Sequence, residues 1–257
     1  MSDGLLSVVG LGPGAAELRT AQAEAALASA SALVGYGPYL DRIAARPGQS
    51  RHASDNREEL ARARHALELA AAGERVALVS GGDPGVFAMA SAVFEAIERH
   101  GGASVAVEVV PGISAMLAAA ARLGAPLGHD FCAISLSDNL KPWDLVLRRL
   151  TAVAEAGLVI ALYNPVSVAR PWQLGAALRH LAGILPPATP VAFATAVSRP
   201  DEHIAVRTLA DADLQPADMR TLVLVGTVCT RIIPKSNGNA WLYTPRAASH
   251  ASAACGL

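Results

Sequence analysis

The chain of 257 residues has little charge and few aromatic side chains. Charged residues make up 17% of the sequence, aromatic residues make up 4%, and the formal net charge is -1. This balance lacks the basic footprint of a nucleic-acid-binding protein, and no basic stripe is interleaved with aromatic residues. We therefore expect no nucleic-acid partner.

Cysteine is also scarce, and long apolar runs are missing. Cys132, Cys229 and Cys255 are odd in number and far apart, which argues against a disulfide framework and favours a reducing, cytoplasmic location. The apolar runs have the length of strands, so we predict no membrane-spanning segment. The first residues place no basic region before an apolar core, so we predict no signal peptide.

Motifs of metal and hydrolytic chemistry are missing as well. The seven histidines never recur three or four residues apart, and neither an H-E-x-x-H nor a G-x-S-x-G pattern occurs. No glycine-rich turn is followed by Lys-Ser or Lys-Thr, which excludes a phosphate-binding loop. We predict no metal site. Two polar pairs, His129-Asp130 and Glu202-His203, still offer a general base.

What the sequence does have is a set of glycine and proline breaks at the ends of strand-like apolar runs. Four such runs are followed by Gly-Leu-Gly-Pro-Gly at 10–14, Ser-Gly-Gly-Asp-Pro-Gly at 80–85, Pro-Gly-Ile-Ser-Ala at 111–115 and Tyr-Asn-Pro at 163–165. In open α/β sheets, ligands bind beyond the carboxyl ends of the strands. Four turns placed in this way predict one shared small-molecule site.

Strand-like and helix-like segments alternate through the first half, which predicts a mostly parallel α/β layout. In the last third, strand runs at 190–197, 203–209 and 221–226 are separated by short turns, and Arg199–Glu202 resembles a hairpin connection. That pattern predicts a mixed sheet. We expect an N-terminal α/β domain over 1–123, a C-terminal mixed α/β domain over 124–246 and a disordered tail over 247–257. The crossing between the domains is predicted at Gly124–Gly128.

Local signals also predict where helices begin. A helix is expected over about 17–30. Asp55 and Glu58 form a capping-box pattern for a long helix ending near residue 73, and a charged stripe with Arg62 and Arg64 is expected on its exposed face. Asp83 is predicted as the N-cap of the next helix, with the proline at 84 as its first residue.

Two chemistries suit a glycine-rich site at strand ends. Residues 10–15 match the dinucleotide pattern G-x-G-x-x-G/A, but the second strand ends in 34–36, Val-Gly-Tyr, without the acid that holds a ribose. Pro13 also removes an amide where a pyrophosphate would bind. S-adenosylmethionine carries no phosphate and needs the close backbone contacts that glycine permits. Asp83 would add a carboxylate near its sulfonium, a role that stands beside its predicted role as an N-cap.

The four turns resemble the motifs of the tetrapyrrole methylases, in that family's order and over about residues 5–231. The resemblance implies a two-domain, tetrapyrrole-methylase-like α/β fold with an active-site cleft between the domains. It implies S-adenosylmethionine as cofactor, S-adenosylhomocysteine as product, no metal, and a homodimer acting on a tetrapyrrole.

Further motifs, at 34–40, 54–59, 80–89, 136–143 and 218–226, are similar to those of the branch that acts on precorrin-3B in cobalamin biosynthesis. This implies methylation of C17 with ring contraction to precorrin-4. Gly81 departs from the serine expected at its position. Two alternatives stay open. One is a sister methylase acting on another precorrin, cobalt-factor III or uroporphyrinogen III, and the other is a non-catalytic α/β protein that binds a nucleotide or another ligand.

The resemblance also implies site residues. The implied cofactor contacts are Gly81, Gly82, Asp83, Pro84, Ser114, Ala115, Tyr163, Asn164 and Gly226. A loop beside the macrocycle would be formed by Gly12, Pro13 and Gly14.

Ring contraction requires a base for the proton of the C20 hydroxyl, and four residues are open for that role: Tyr36, His129, Asp138 and Glu202. The substrate carries many carboxylates, for which arginine is the natural bidentate partner. All but two of the 21 basic residues are arginine. We select those beside motif loops, Arg51, Arg170 and Arg199, and expect Arg62 and Arg64 to have no role.

Overall fold

The computed structural model describes residues 4–55, 58–100, 105–236 and 240–247. The chain divides into two compact units, Met1–Ala115 and Met116–Leu257. The predicted boundary at 123/124 lies eight residues further along, so the helix between the two positions belongs almost wholly to the second unit. Apart from its first residue, the predicted tail over 247–257 lies outside the described residues.

The first unit contains a five-stranded sheet whose ladders are all parallel, in the order β3-β2-β4-β1-β5. Its strands are β1 Leu5–Gly10, β2 Ala32–Tyr36, β3 Ser50–Ser54, β4 Arg75–Ser80 and β5 Ala106–Val110. The central strands are apolar at most positions because both faces of a parallel sheet are covered by helices. The edge strand β3 has the polar sequence Ser-Arg-His-Ala-Ser, and the sequence patterns did not predict it.

Helices cover both faces of this sheet: α1 Ala21–Ser29, α2 Gly37–Leu40, α3 Glu59–Ala71 and α4 Met89–His100. On one face, Leu6, Val8 and Leu78 pack with apolar residues of α3 and α4. On the other face, Val9 and Val79 pack with apolar residues of α1. The sheet therefore has a core on each side, as in doubly wound α/β proteins.

Two of the predicted helix starts in this unit are wrong. Residues 16–18 form a separate 3-10 turn, and α1 begins only at Ala21 because the Thr20 hydroxyl accepts a hydrogen bond from the Ala23 amide (3.0 Å). Helix α4 begins at Met89, five residues after the predicted Pro84. Before α3, the Asp55 amide donates to the Glu58 carboxylate (3.2 Å), which is one half of the predicted capping box.

The second unit contains the predicted mixed sheet, in the order β10-β9-β11-β8-β7. Its strands are β7 Phe131–Ser135, β8 Val159–Tyr163, β9 Pro190–Thr195, β10 His203–Thr208 and β11 Thr221–Val225. Strands β7 and β8 pair in parallel, whereas β11 is antiparallel to β8 and β9, and β9 is antiparallel to β10. The connection between β9 and β10 runs through Arg199–Glu202, as predicted for a hairpin.

A smaller sheet, ordered β12-β13-β6, completes this unit. Its strands are β6 Gly124–Ala125, β12 Arg231–Pro234 and β13 Ala240–Tyr243. The segment predicted as the crossing between domains thus contributes a strand of the second unit. Gly124 has φ +122°, and a Cβ there would lie 3.0 Å from the carbonyl oxygen of Leu242, so this position favours glycine.

The helices of the second half are α5 Ala115–Leu123, α6 Trp143–Glu155 and α7 Gln173–Ala182. Its core contains fully buried side chains from both strands and helices, among them Leu136, Leu150, Leu162, Leu181 and Phe193. Among the residues that the structure describes, no helix is long and apolar enough to span a bilayer.

Candidate functional site

In the first unit, the loops that follow β1 and β4 are joined by a short antiparallel bridge. The Gly12 amide donates to the Gly82 carbonyl (3.2 Å), and the Gly82 amide donates to the Gly12 carbonyl (2.9 Å). The Leu11 amide also donates to the Ser80 carbonyl (2.8 Å). Two of the motif loops predicted from the sequence therefore meet at one end of the parallel sheet.

The loop after β5 packs against both of them so closely that side chains are excluded. A Cβ on Gly112 would lie 2.2 Å from the Gly82 carbonyl oxygen, and a Cβ on Gly10 would lie 2.7 Å from the Gly112 nitrogen. Real Cβ atoms do not approach backbone atoms so closely, so glycine is required at both positions. The glycines of the three motifs interlock through their backbones.

Asp83 ties two of these loops together. One carboxylate oxygen, Oδ1, accepts a hydrogen bond from the Gly85 amide (2.8 Å), and Oδ2 accepts one from the Gly112 amide (3.0 Å). The predicted role as N-cap of α4 is wrong, since that helix begins six residues later and both carboxylate oxygens bond to loop amides. The carboxylate instead stabilises the relative position of the β4 and β5 loops.

The residues implied for the cofactor in this unit lie close to one another. Gly82 has φ +66°, and a Cβ there would lie 3.8 Å from the Ser114 Cα and 3.9 Å from the Ala115 nitrogen. A Cβ on Gly81 would lie 2.8 Å from the ring of Tyr39. The ring of Tyr39 thus occupies the space into which a side chain at position 81 would extend.

Two tyrosines stand beside this cluster. The rings of Tyr36 and Tyr39 pack edge to face with centroids 5.4 Å apart. Tyr36, one of the four residues open for the base, therefore belongs to an aromatic pair whose other member lies where a Cβ on Gly81 would extend.

Arg42 is a residue of this site that the sequence analysis missed. Its Nη2 atom lies within hydrogen-bond distance of the carbonyl oxygens of Leu11 (3.2 Å), Gly12 (3.2 Å) and Gly14 (3.1 Å). Arg42 lies outside every motif, and no local sequence signal connects it to the first glycine loop. It reaches that loop only because α2 follows β2 in the folded sheet.

In the second unit, predicted residues gather where β7 and β8 end. The Tyr163 hydroxyl accepts a hydrogen bond from the Met116 amide in the first turn of α5 (3.1 Å). Asn164 adopts φ +52°, and its side-chain amide donates to the Ser135 hydroxyl (2.9 Å). The backbone at Asn164 lies in a region that few residues other than glycine, asparagine and aspartate adopt, which is consistent with a specialised turn.

The structure brings together two residues that the sequence selected for different roles. The Arg170 Nε donates to Asp138 Oδ1 at 2.7 Å, and the Gln173 side-chain amide donates to the same oxygen at 2.9 Å. Both members of the ion pair are partly buried. Asp138 follows β7 and Arg170 follows β8, so the pair connects two neighbouring strand ends. In the same loop, burial and the charge of Arg149 lower the pKa of Lys141.

The other two residues open for the base have different surroundings. Both Glu202 oxygens lie 3.1 Å from the Nε of Arg122, and Oε2 also accepts a hydrogen bond from the Ser198 amide (2.6 Å). His129 is about one-third exposed and faces Asp130 at 3.8 Å. Glu202 thus stabilises the β9–β10 turn, which also carries Arg199, whereas His129 pairs with its sequence neighbour.

Gly226 begins a turn that is held by a chain of buried hydroxyls. Its amide donates to the Pro190 carbonyl (2.8 Å), and a Cβ there would lie 2.8 Å from the Thr230 side chain. The Thr244 hydroxyl donates to the Pro126 carbonyl (2.7 Å), so it accepts from Thr230 (2.9 Å). Thr230 in turn accepts from the Thr227 amide (2.8 Å). The direction of the whole chain is determined because each hydroxyl has a single proton to donate.

Arg62, on α3, and Arg51, before it, both donate to backbone carbonyls. Arg62, predicted to be exposed, is 6% exposed and donates to the Ser54 hydroxyl (2.7 Å) and the Asp55 carbonyl. The expectation of a solvated side chain is wrong for Arg62, whereas Arg64 is exposed as predicted. Arg51 directs both Nη atoms at backbone carbonyls, those of Leu40 (3.2 Å) and Ile43 (2.6 Å).

Within 4–55, 58–100, 105–236 and 240–247, no group of three or more histidine, cysteine, aspartate or glutamate side chains is arranged to hold a metal ion.

Comparisons with known proteins agree with the geometry. The family "Tetrapyrrole (Corrin/Porphyrin) Methylases" matches residues 5–213. A precorrin-3B C(17)-methyltransferase of Sinorhizobium sp. is 58% identical over 245 residues, which are 95% of this chain and 96% of that protein. The crystal structure of the methyltransferase CobJ has a TM-score of 0.90 and 52% identity, covering 94% of this chain and all of that one. A uroporphyrin-III C-methyl transferase from Thermus thermophilus, solved in complex with S-adenyl homocysteine, has a TM-score of 0.64 and 27% identity, covering 87% of this chain and 92% of that one.

Proposed function

This chain belongs to the tetrapyrrole (corrin/porphyrin) methylases, and from that premise we propose that it transfers a methyl group to C17 of precorrin-3B in cobalamin biosynthesis. The observation that carries the proposal is the near full-length similarity to the Sinorhizobium enzyme. The interlocked glycine loops support it, because three of the four motif turns pack against one another.

S-adenosylmethionine is the methyl donor in this proposal, and when bound it supplies a methyl group already activated on a sulfonium. The residues that would hold it are Gly81, Gly82, Asp83, Pro84, Ser114, Ala115, Tyr163, Asn164 and Gly226. The fit is supported by the backbone around Gly82, where the absence of a Cβ leaves main-chain atoms accessible. The loops at 80–85, 110–116 and 163–165 contain no lysine or arginine, as expected for a ligand without phosphate. The chain contributes chiefly alignment of the reacting carbon.

The tetrapyrrole carboxylates would be held by Arg170 and Arg199, and the loop Gly12, Pro13 and Gly14 would contact the macrocycle. Arg170 keeps its Nε on Asp138 and is about one-third exposed, which leaves guanidinium surface for a substrate carboxylate. Arg51 differs, since its Nη atoms are directed at carbonyls of its own unit. We expect Arg170→Ala to weaken tetrapyrrole binding by about 1.5–3 kcal/mol, roughly tenfold or more. The exposed Arg64→Ala is the matched control.

The coupled ring contraction to precorrin-4 needs a base for the C20 hydroxyl proton, and among Tyr36, His129, Asp138 and Glu202 we favour Asp138. The ion pair with Arg170 supports this choice, because it places a carboxylate next to a residue proposed to bind the substrate. Asp138→Asn keeps the shape and removes the base. We expect methylated product to accumulate without contraction, or kcat to fall with the tetrapyrrole KM little changed.

The reaction is tested by mass spectrometry after incubation with methyl-labelled S-adenosylmethionine and each of three substrates: precorrin-3B, cobalt-factor III and uroporphyrinogen III. Label in precorrin-3B alone supports the proposal. Faster labelling of another tetrapyrrole would identify a sister methylase, and retention of ligand without turnover would indicate a binding protein.

The cofactor site is tested by calorimetry with S-adenosylhomocysteine in the presence of a chelator. We expect one site per chain and no metal requirement. Ala115→Trp, at the start of α5, should abolish binding while circular dichroism shows an intact fold. Unchanged binding by this variant would place the pocket elsewhere. The homodimer and the cytoplasmic location stay predictions, the first of which light scattering at several protein concentrations will test.

A further inference from the structure

The first glycine loop has three carbonyl groups turned toward one side chain. The carbonyls of Leu11, Gly12 and Gly14 all point at the Nη2 atom of Arg42, at 3.1–3.2 Å. The other guanidinium nitrogens, Nε and Nη1, are shielded from solvent. Carbonyl dipoles that converge in this way repel one another unless a cation stands between them, and a guanidinium is always charged. Hydrogen bonds to a charged donor are also stronger than neutral ones.

The residue types of this loop do little to hold its backbone through amide hydrogen bonds of their own. Two of its residues are glycines, which lose the most conformational freedom on folding, and Pro13 has no amide to donate. Gly12 is held from the side of the β4 loop by its paired hydrogen bonds to Gly82. The part beyond it, Pro13 and Gly14, faces Arg42 on the carbonyl side.

The segment that carries Arg42 is itself held by two further arginines. Arg51 donates to the carbonyls of Leu40 and Ile43, on either side of Arg42 in sequence. Arg19, whose side chain is only 9% exposed, donates to the backbone carbonyl of Arg42 itself. Arg19 and Arg51 thus hold the segment around Arg42 through its carbonyls, and Arg42 in turn binds the carbonyls of the first glycine loop.

We propose that Arg42 is a positioning residue that sets the shape of the Gly12–Gly14 loop for the tetrapyrrole, and that Arg51 acts on the substrate through Arg42 rather than by direct contact. The proposal rests on the function proposed above, in which this loop lies beside the macrocycle. It changes the role expected for Arg51 from the sequence. The paired hydrogen bonds between Gly12 and Gly82 do not involve Arg42, so cofactor binding should depend on Arg42 much less than substrate binding does.

The test compares Arg42→Met with Arg62→Met, a buried arginine of the same unit that also donates to a backbone carbonyl. We expect Arg42→Met to raise the tetrapyrrole KM at least tenfold, with kcat and the S-adenosylhomocysteine Kd changed less than twofold. Hydrogen exchange at the amides of Leu11 and Gly14 should accelerate. Arg62→Met should lower thermal stability without these effects. Arg42→Lys, which restores the charge, should recover part of the KM and is the variant to use if Arg42→Met does not fold.

The double variant Arg42→Met/Arg51→Met separates the two roles of Arg51. If Arg51 acts through Arg42, its removal adds little to the KM of Arg42→Met. Additive losses would show direct contact with the substrate and overturn that half of the proposal. A wild-type-like KM for Arg42→Met, or an equal KM rise in Arg62→Met, would overturn the other half. If the wild-type chain fails to methylate precorrin-3B, the proposed function fails instead, while the exchange rates still report whether Arg42 holds the loop.

Discussion

Gly112→Ala should damage both the fold of the first unit and its proposed cofactor site. The added Cβ would lie 2.2 Å from the Gly82 carbonyl oxygen and 2.9 Å from the Gly10 Cα. Both contacts are with backbone, which does not move aside as a flexible side chain does. The β4 and β5 loops must therefore separate, and the bond from the Gly112 amide to Asp83 must lengthen.

The size of the effect follows from the cost of overpacking. One extra methyl group in a closely packed site costs about 1–3 kcal/mol, and a contact this short belongs at the upper end of that range. We expect a loss of about 2–3 kcal/mol in the free energy of unfolding. For a chain of this size that corresponds to a fall in Tm of about 4–12 °C. Because Gly82 must shift with its carbonyl, we also expect S-adenosylhomocysteine to bind at least tenfold more weakly.

The matched control is Gly37→Ala, at the start of α2 in the same unit. A Cβ at Gly37 would meet no atom within 4 Å, so this variant should stay within about 0.5 kcal/mol of wild type. Thermal unfolding and calorimetry with S-adenosylhomocysteine, run on both variants, make the comparison. If Gly112→Ala binds the ligand as wild type does and keeps its Tm, the interlocked glycines are not what shapes the site.

Three further predictions follow from the second unit. The hydrogen bond from Arg220 lowers the pKa of Asp201; burial raises that of Asp218, but hydrogen bonds from the Arg220 amide and side chain outweigh it and leave the pKa lowered. A carboxyl group with a lowered pKa stabilises the fold at pH values above its unfolded pKa of about 3.9, and this stabilisation is lost as the pH falls through the folded pKa. Arg220→Met should therefore be less stable than wild type at pH 7 in urea titrations, and the difference should vanish at low pH. Thr230→Val leaves the buried Thr227 amide without its acceptor, and should lower the free energy of unfolding by about 1–3 kcal/mol. It should also weaken S-adenosylhomocysteine binding in calorimetry, and unchanged values would mean that the turn does not need the hydroxyl chain. Burial raises the pKa of Cys132, so iodoacetamide at pH 8 should label this thiol more slowly in the folded chain than in urea. Peptide mass spectrometry measures the two labelling rates, and equal rates would contradict the raised pKa.

Features of the fold that depend on neighbouring residues could be predicted from the sequence. The apolar runs of β1, β4 and β8 can be recognised because a strand buried on both faces carries apolar residues at most positions. The mixed sheet of the second half was predicted correctly from short turns between strand runs. The polar strand β3 was missed because an edge strand needs no apolar pattern, and the two-residue strand β6 is too short to have one.

The motif loops could also be predicted from neighbouring residues, because a glycine at a strand end indicates a backbone conformation or a close approach that other residues do not tolerate. The partners of charged side chains could not be predicted in this way. Asp83 looked like an N-cap because aspartate before proline is typical of one, yet its carboxylate bonds to the amide of Gly112 from another loop. Arg62 looked exposed on a charged helix, yet it is buried against the end of β3.

The sequence by itself determined the class of fold, the family and the loops at strand ends, because each of these depends on the residue types within a few positions along the chain. Tertiary structure alone decided which charges meet. Arg42 reaches the loop after β1 across 28–31 positions of sequence, and Arg170 meets Asp138 across 32. A long side chain binds whatever polar group the packing of sheet and helices brings within reach, and no local pattern encodes that distance.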